Sequence, residues 1–214
     1  MITVKKFKKI LSAVSAAVLC SLPLVNGVAA NAADASDKYK KTYRIYYDVP
    51  KNSGVRRVSF TLDFNNMKAV ETYTGALGGS VHTGEIQTPN YMEYGGFYQA
   101  DGALTLPGTV FTVKLVAGED FDSCIVKNRT SAFDNSLALM SNNPVKTEVV
   151  FVGDANGDGV ISISDAVSVS SYISNPLNNP LNNLRAADAN GDGVVTEEDA
   201  TMIQQYLANI IIHF

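Results

Sequence analysis

The chain has 214 residues, with 21 acidic against 17 basic side chains, a formal net charge of −4 and no tryptophan. This balance argues against nucleic acid or an anionic membrane surface as a partner. The length suffices for one medium core or two small ones.

Lys5, Lys6, Lys8 and Lys9 precede an apolar run from Ile10 to Val25 and a small-residue stretch ending Ala30-Asn31-Ala32-Ala33. This order predicts a bacterial-type secretory signal over residues 1–32, cut after Ala32, and a secreted, extracellular protein. The run falls short of the roughly 18 to 20 apolar residues of a membrane-spanning helix, and Pro23 interrupts it. Cys20 follows Leu19 where a lipoprotein signal needs a small residue, so it is expected to leave with the leader. Cys124 then remains alone, which excludes an intramolecular disulfide and makes a metal the more plausible staple. Beside Ile125 and Val126, it reads as a small buried hydrophobe.

Residues 38–152 are strand-like. Tyr43–Tyr47, Val58–Leu62, Val110–Leu115 and Val149–Val152 are rich in β-branched and aromatic residues, and turn formers such as Pro50–Gly54, Gly78-Gly79, Gly95-Gly96, Pro107-Gly108 and Asn142–Pro144 separate them. This predicts an antiparallel sandwich, with Phe111, Val113 and Leu115 on the buried face and Thr112 and Lys114 on the polar one.

From residue 153 to 214 the character changes, and an internal repeat appears. Asp154-Ala155-Asn156-Gly157-Asp158-Gly159-Val160 recurs letter for letter as Asp188–Val194, and each copy continues into a helical stretch, giving units 154–173 and 188–207. Ala166, Val169 and Ile173, and Ala200, Ile203 and Leu207, have the spacing of a core-facing stripe. Met202 and Tyr206 read as packing residues, and the tail Ile210–Phe214 as a segment packed on this region. Calcium takes six to eight oxygen ligands, so a loop that wraps it turns oxygens inward at alternate positions. The first copy offers the side chains of Asp154, Asn156 and Asp158, the carbonyl of Val160, a water held by Ser162, and the carboxylate of Asp165. The second offers Asp188, Asn190, Asp192, the carbonyl of Val194, Thr196 through water, and Asp199. Gly159 and Gly193 supply the sharp bends. Each loop ends in Asp where the general pattern has Glu. Two Ca²⁺ ions are therefore expected, and with them a segment that folds only when they are bound.

A duplicated loop of this type, each followed by a single helix, resembles the type I dockerin family over about residues 153 to 210. The resemblance implies a small all-α domain with two calcium-loop–helix (F-hand) motifs. It also implies docking to a cohesin module on a scaffoldin, as in the cellulosomes of plant-fibre-degrading bacteria, and hence cell-surface association through a scaffold complex. By the same resemblance, the partner-contacting positions are Ile163, Ser164, Ser170 and Ser171 in the first copy and Glu197, Glu198, Gln204 and Gln205 in the second. One set is nearly neutral and the other acidic, which bears on whether docking is two-way. Glu197 and Glu198 also suit a helix first turn as solvated charges.

The upstream segment is similar to the cohesins, of the jelly-roll sandwich type, in Val49–Val55, Val58–Phe64, Ala69–Glu71, Thr74–Leu77, Gly108–Leu115 and Val145–Val152. It departs from that family at Phe64-Asn65-Asn66, in lacking about one leading strand, and at Arg57 and Ser59, where dockerin-contacting Asn and Asp are usual. Taken together, these features describe a non-catalytic adaptor of polysaccharide breakdown: a calcium-dependent docking tail and a cohesin-like sandwich that receives another partner, a dockerin by the same resemblance. Two alternatives stand beside it. Tyr91, Tyr94, Phe97 and Tyr98 would give a carbohydrate-binding module its stacking platform, with half of them expected in the core. A small carbohydrate-active enzyme needs two positioned carboxylates, and the only histidines are His82 and His213.

Overall fold

Period-two alternation places Tyr43, Ile45, Tyr47 and Val49 of β1 (Lys41–Val49) in a hydrophobic core. The computed structural model describes residues 40–214, which lie within one unit, Asp34–Phe214. The leader, its cleavage site and Cys20 lie outside the described residues.

The remaining strands are β2 (Arg57–Phe64), β3 (Met67–Thr74), β4 (Ser80–Gln87), β5 (Met92–Gln99), β6 (Gly108–Ala117), β7 (Ile125–Phe133) and β8 (Lys146–Phe151). They form two four-stranded antiparallel sheets, ordered β3-β6-β1-β8 and β4-β5-β2-β7. The sandwich expected from the sequence is thus present. Every strand read from the sequence lies within an observed one, save that Val152 falls one residue past β8.

The core centres on Phe111, whose ring stacks on Tyr47 at 4.2 Å and meets Phe60 at 4.9 Å. Each such pair adds about 0.5–1.5 kcal/mol to the burial of apolar area. A single helical turn, α1 (Phe121–Cys124), which no periodicity announces, places Phe121 and Cys124 in the same core. Cys124 is only 1% exposed, as its apolar neighbours suggested.

Three further helices follow: α2 (Ile163–Ser174), α3 (Leu184–Ala187) and α4 (Glu197–Leu207). They enclose a second core of Val152, Ala155, Ala166, Val169, Ala187, Ala189, Ala200, Ile203 and Phe214. The predicted stripe holds for Ala166, Val169, Ala200 and Ile203 but not for Leu207, which is exposed. Tyr206 packs in its stead, stacked on Phe214 with ring centroids 4.8 Å apart. Helix α4 closes with the backbone N–H of Ala208, which donates to Gln204 and Tyr206.

The strand pattern fails instructively at Thr42, Arg44 and Thr112. All three are buried, although each lies on the polar side of its alternation. The helical region covers that face. The Phe214 N–H donates to Thr42 Oγ1 at 3.1 Å, the Tyr206 hydroxyl donates to the Lys40 carbonyl at 3.3 Å, and Arg44 reaches the second repeat.

Candidate metal loops and docking face

Each repeat begins with an aspartate that organises its loop. Asp154 accepts from the N–H groups of Gly157, Asp158 and Gly159 at 2.9–3.0 Å. Asp188 accepts from Gly191 at 2.7 Å and Gly193 at 2.9 Å. These bonds need Gly157, Gly159, Gly191 and Gly193 at φ of 75° to 89°, a left-handed backbone that glycine adopts without strain.

The last aspartate of each loop has a second role. Asp165 accepts from Asn156 N–H at 3.1 Å across the loop and from Ser162 N–H at 2.8 Å. Ser162 in turn caps α2, so Ser162 and Asp165 form a capping box, and Thr196 with Asp199 repeats it at the start of α4. A carboxylate one carbon shorter than glutamate can therefore close the loop and start the helix at once. The middle positions match too: Asp158 accepts from Val160 N–H and Asp192 from Val194 N–H, each at 2.8 Å.

Asp165 and Asp199 are fully buried, and Asp154 and Asp188 nearly so. Burial raises the Asp188 carboxyl above its ordinary range. The N–H groups of Gly193 and Gly191 and the charge of Arg44 oppose that rise, and Asp199 adds to it. At Asp188 the amides and Arg44 together do not offset the cost of burial. The side-chain donors at the loop positions are all oxygens, the chemistry a hard divalent cation prefers. Among the described residues, no three His, Cys, Asp or Glu side chains are already drawn into one metal-holding cluster. The Asn156 and Asn190 amides bond instead to Asp158 at 2.9 Å and Asp192 at 3.1 Å.

This loop–helix unit, repeated with the same capping box and loop-closing aspartate, carries a family signature. Residues 152–208 match the Dockerin type I domain. No curated protein matches the chain. Among solved structures it is similar to "Non-cellulosomal cohesin from the hyperthermophilic archaeon Archaeoglobus fulgidus", at 12% identity and a TM-score of 0.35, over 48% of this chain and 75% of that one.

In the dockerin segment, α2 and α4 pack on each other, and a groove of about 350 Å³ between them is lined by Val167, Ser170, Ser171 and Gln204, with Ala166, Ser174 and Asn179. The Ser170 hydroxyl donates to Glu197 at 3.1 Å and so links the two helices. Three of the positions expected to contact a partner thus share the groove, with Glu197 beside it. Ile163, Ser164 and Glu198 are exposed in the first turns of their helices, outside the groove lining, and Ile163 is 60% exposed. Gln205 is half-buried, and its carbonyl accepts from Ile210.

On the sandwich, the sheet β4-β5-β2-β7 carries a cleft of about 330 Å³ lined by Ser59, Thr61, Glu93, Arg129 and Ser131. Nearby, Phe97 lies between Arg57, 4.8 Å from its ring, and His82, 5.0 Å ring to ring. The four-ring sugar platform does not form, because Tyr94 and Tyr98 are in the core. Tyr91 and Phe97 remain half-buried.

The sequence reading missed the residues that join tail and sandwich. Arg185 on α3 donates to Asp48 at 2.8 Å and Glu148 at 2.6 Å, and lies 4.2 Å from the Tyr46 ring. Asn183, the cap of α3, donates to Glu148 at 2.9 Å. Arg44 crosses from β1 to the second loop. The available signal was a lone arginine inside the aromatic run Tyr43–Tyr47.

Proposed function

We propose that this is a secreted, non-catalytic assembly protein. Its dockerin segment binds two calcium ions and presents the α2–α4 face to a cohesin module of a scaffoldin, and its sandwich receives a second partner. The observation that carries this reading is the duplicated loop closed by the same aspartate that starts the docking helix. A cation drawn to Asp154, Asn156, Asp158, the Val160 carbonyl and Asp165, and to their counterparts from Asp188 to Asp199, would set both loops and thereby the pose of both helices. Ser162 and Thr196, which cap the helices, would hold the ligand waters.

The groove side chains are small or neutral in α2 (Val167, Ser170, Ser171) and longer in α4 (Gln204), while Glu197 and Glu198 put acid at one end. The two repeats therefore offer a partner different chemistry, which favours one docking orientation over two. For the sandwich, the cleft at Ser59, Glu93 and Arg129 beside the Phe97 cluster suits a protein surface with polar and charged groups better than a sugar chain. Burial of Tyr94 and Tyr98 removes half of the rings that sugar stacking would use.

Calorimetry of the full chain against a panel of cohesins, with calcium and then with excess chelator, tests the reading. Binding in calcium that is abolished by chelator is the expected result. Binding that survives chelation, or a failure to take up calcium at all, would overturn it.

A further inference from the structure

The two loops share a sequence but not their surroundings. The first is buttressed from within the dockerin segment: Asn182, an exposed side chain of the connection between repeats, donates to the Asn156 carbonyl. The second is buttressed from the sandwich. Arg44, 1% exposed on β1, donates through Nη1 to the Asp188 carbonyl and through Nη2 to the Ala189 carbonyl at 2.8 Å. Its neighbours in register, Lys114 on β6 and Val150 on β8, belong to strands flanking β1, so the guanidinium projects from the middle of a paired sheet.

The loop is shaped to admit it. Gly191 sits at φ 81°, and a Cβ there would lie 2.8 Å from Arg44 Nη2 and 3.0 Å from its Cζ. At the equivalent Gly157, the nearest atom to such a Cβ is Asn182 Nδ2 at 3.2 Å, the end of a neutral side chain.

We propose that Arg44 is a positioning residue for the second metal loop: the sandwich holds Asp188 and Ala189 in place through it, so the two repeats take up calcium unequally. This rests on the calcium reading above. A guanidinium fork binding two successive carbonyls fixes the backbone on which Asp188 is mounted, leaving the loop less to order when the ion arrives. Its positive charge acts against a cation, but it is bonded to carbonyls rather than to the ligating carboxylates. Fixing the backbone therefore outweighs the repulsion, and the second loop fills first. Outer-shell groups that orient ligands commonly contribute roughly 10- to 100-fold to metal affinity, and that is the size of effect assigned to Arg44.

Amide NMR of the isotope-labelled full chain, titrated with calcium, reads the two sites separately through the Gly159 and Gly193 N–H signals. In the wild type, Gly193 should saturate at lower calcium than Gly159. Arg44→Met should weaken the Gly193 site roughly 10- to 100-fold and leave Gly159 within about twofold. Arg44→Lys keeps the charge but cannot span both carbonyls, and it serves as the second variant should the methionine chain fail to fold. It too should weaken Gly193 selectively, with sandwich amides such as those of β2 unmoved. Coincident titrations in the wild type, equal weakening of both sites, or an unchanged Gly193 in a folded variant would overturn the proposal while leaving calcium binding intact. If neither glycine responds to calcium, the calcium reading falls and the proposal with it.

Discussion

At Asp188, a carboxylate is almost wholly removed from water and faces a second one, Asp199. Its pKa is raised, chiefly by burial, so the folded metal-free protein holds that proton more tightly than the unfolded chain does. The resulting stabilisation is complete below the ordinary aspartate value of about 3.9 and is lost as pH rises through the elevated folded value. Bound calcium would take the proton's place. For the metal-free protein, the stability of the wild type minus that of Asp188→Asn is expected to fall as pH rises above about 4, as measured by urea unfolding. Excess calcium should restore it at the upper end. A difference that grows with pH in the absence of metal would show that the amides of Gly191 and Gly193 outweigh burial.

Two short helices, α2 and α4, depend on their first turns for more than initiation. Ser162 and Thr196 satisfy an N–H of the first turn, while Asp165 and Asp199 reach back to the caps through one oxygen and across the loop through the other, so loop closure and helix initiation share the same carboxylates. Helices of 12 and 11 residues are marginal alone, which makes such caps consequential. Ser162→Ala and Thr196→Ala should each cost about 1 kcal/mol in the metal-free protein, read from urea unfolding followed by far-ultraviolet circular dichroism. The Ser162 hydroxyl also bonds that of Ser164 at 2.7 Å, a contact the second copy lacks, so its cost should be the larger of the two. In calcium, each substitution should also weaken its own loop's uptake of the ion, since the hydroxyl that caps the helix also donates to the aspartate that closes the loop.

Across the whole molecule, the sandwich and the helical tail meet on the outer face of sheet β3-β6-β1-β8. Thr42, Arg44 and Thr112 are buried there, and Arg185 ties α3 to Asp48 and Glu148. A register shift between Tyr47 and Asp48 accompanies the turn of Asp48 toward Arg185 and toward the Thr109 hydroxyl, which donates to it at 2.6 Å. The Arg185 side chain is 31% exposed, so its ion pairs are partly screened. Arg185→Ala should cost about 1–2 kcal/mol, combining two half-exposed pairs with the stacking on Tyr46. Calorimetric unfolding in calcium should record this as a drop of about 2–4 °C per kcal/mol, smaller in high salt. If the tail instead melted unchanged, Arg185 would be a solvated contact without a role in joining the two parts.

Local chemistry was enough to reveal the repeat, the loops, the two helices that follow them and the strands β1, β2, β6 and β8. Alternation, helical spacing and glycine at bends act over a few residues and are written in adjacent letters. The burial of Tyr94 and Tyr98, the exposure of Leu207, the turn at Phe121–Cys124 and the reach of Arg44 into the second loop were settled only by tertiary structure. Each depends on which face of an element another part of the chain covers. For Arg44, that cover comes from residues 144 and 145 positions further along the chain. No periodicity within β1 encodes such a distant partner, so the polar side of an ordinary alternating strand became the buried seat of the second loop.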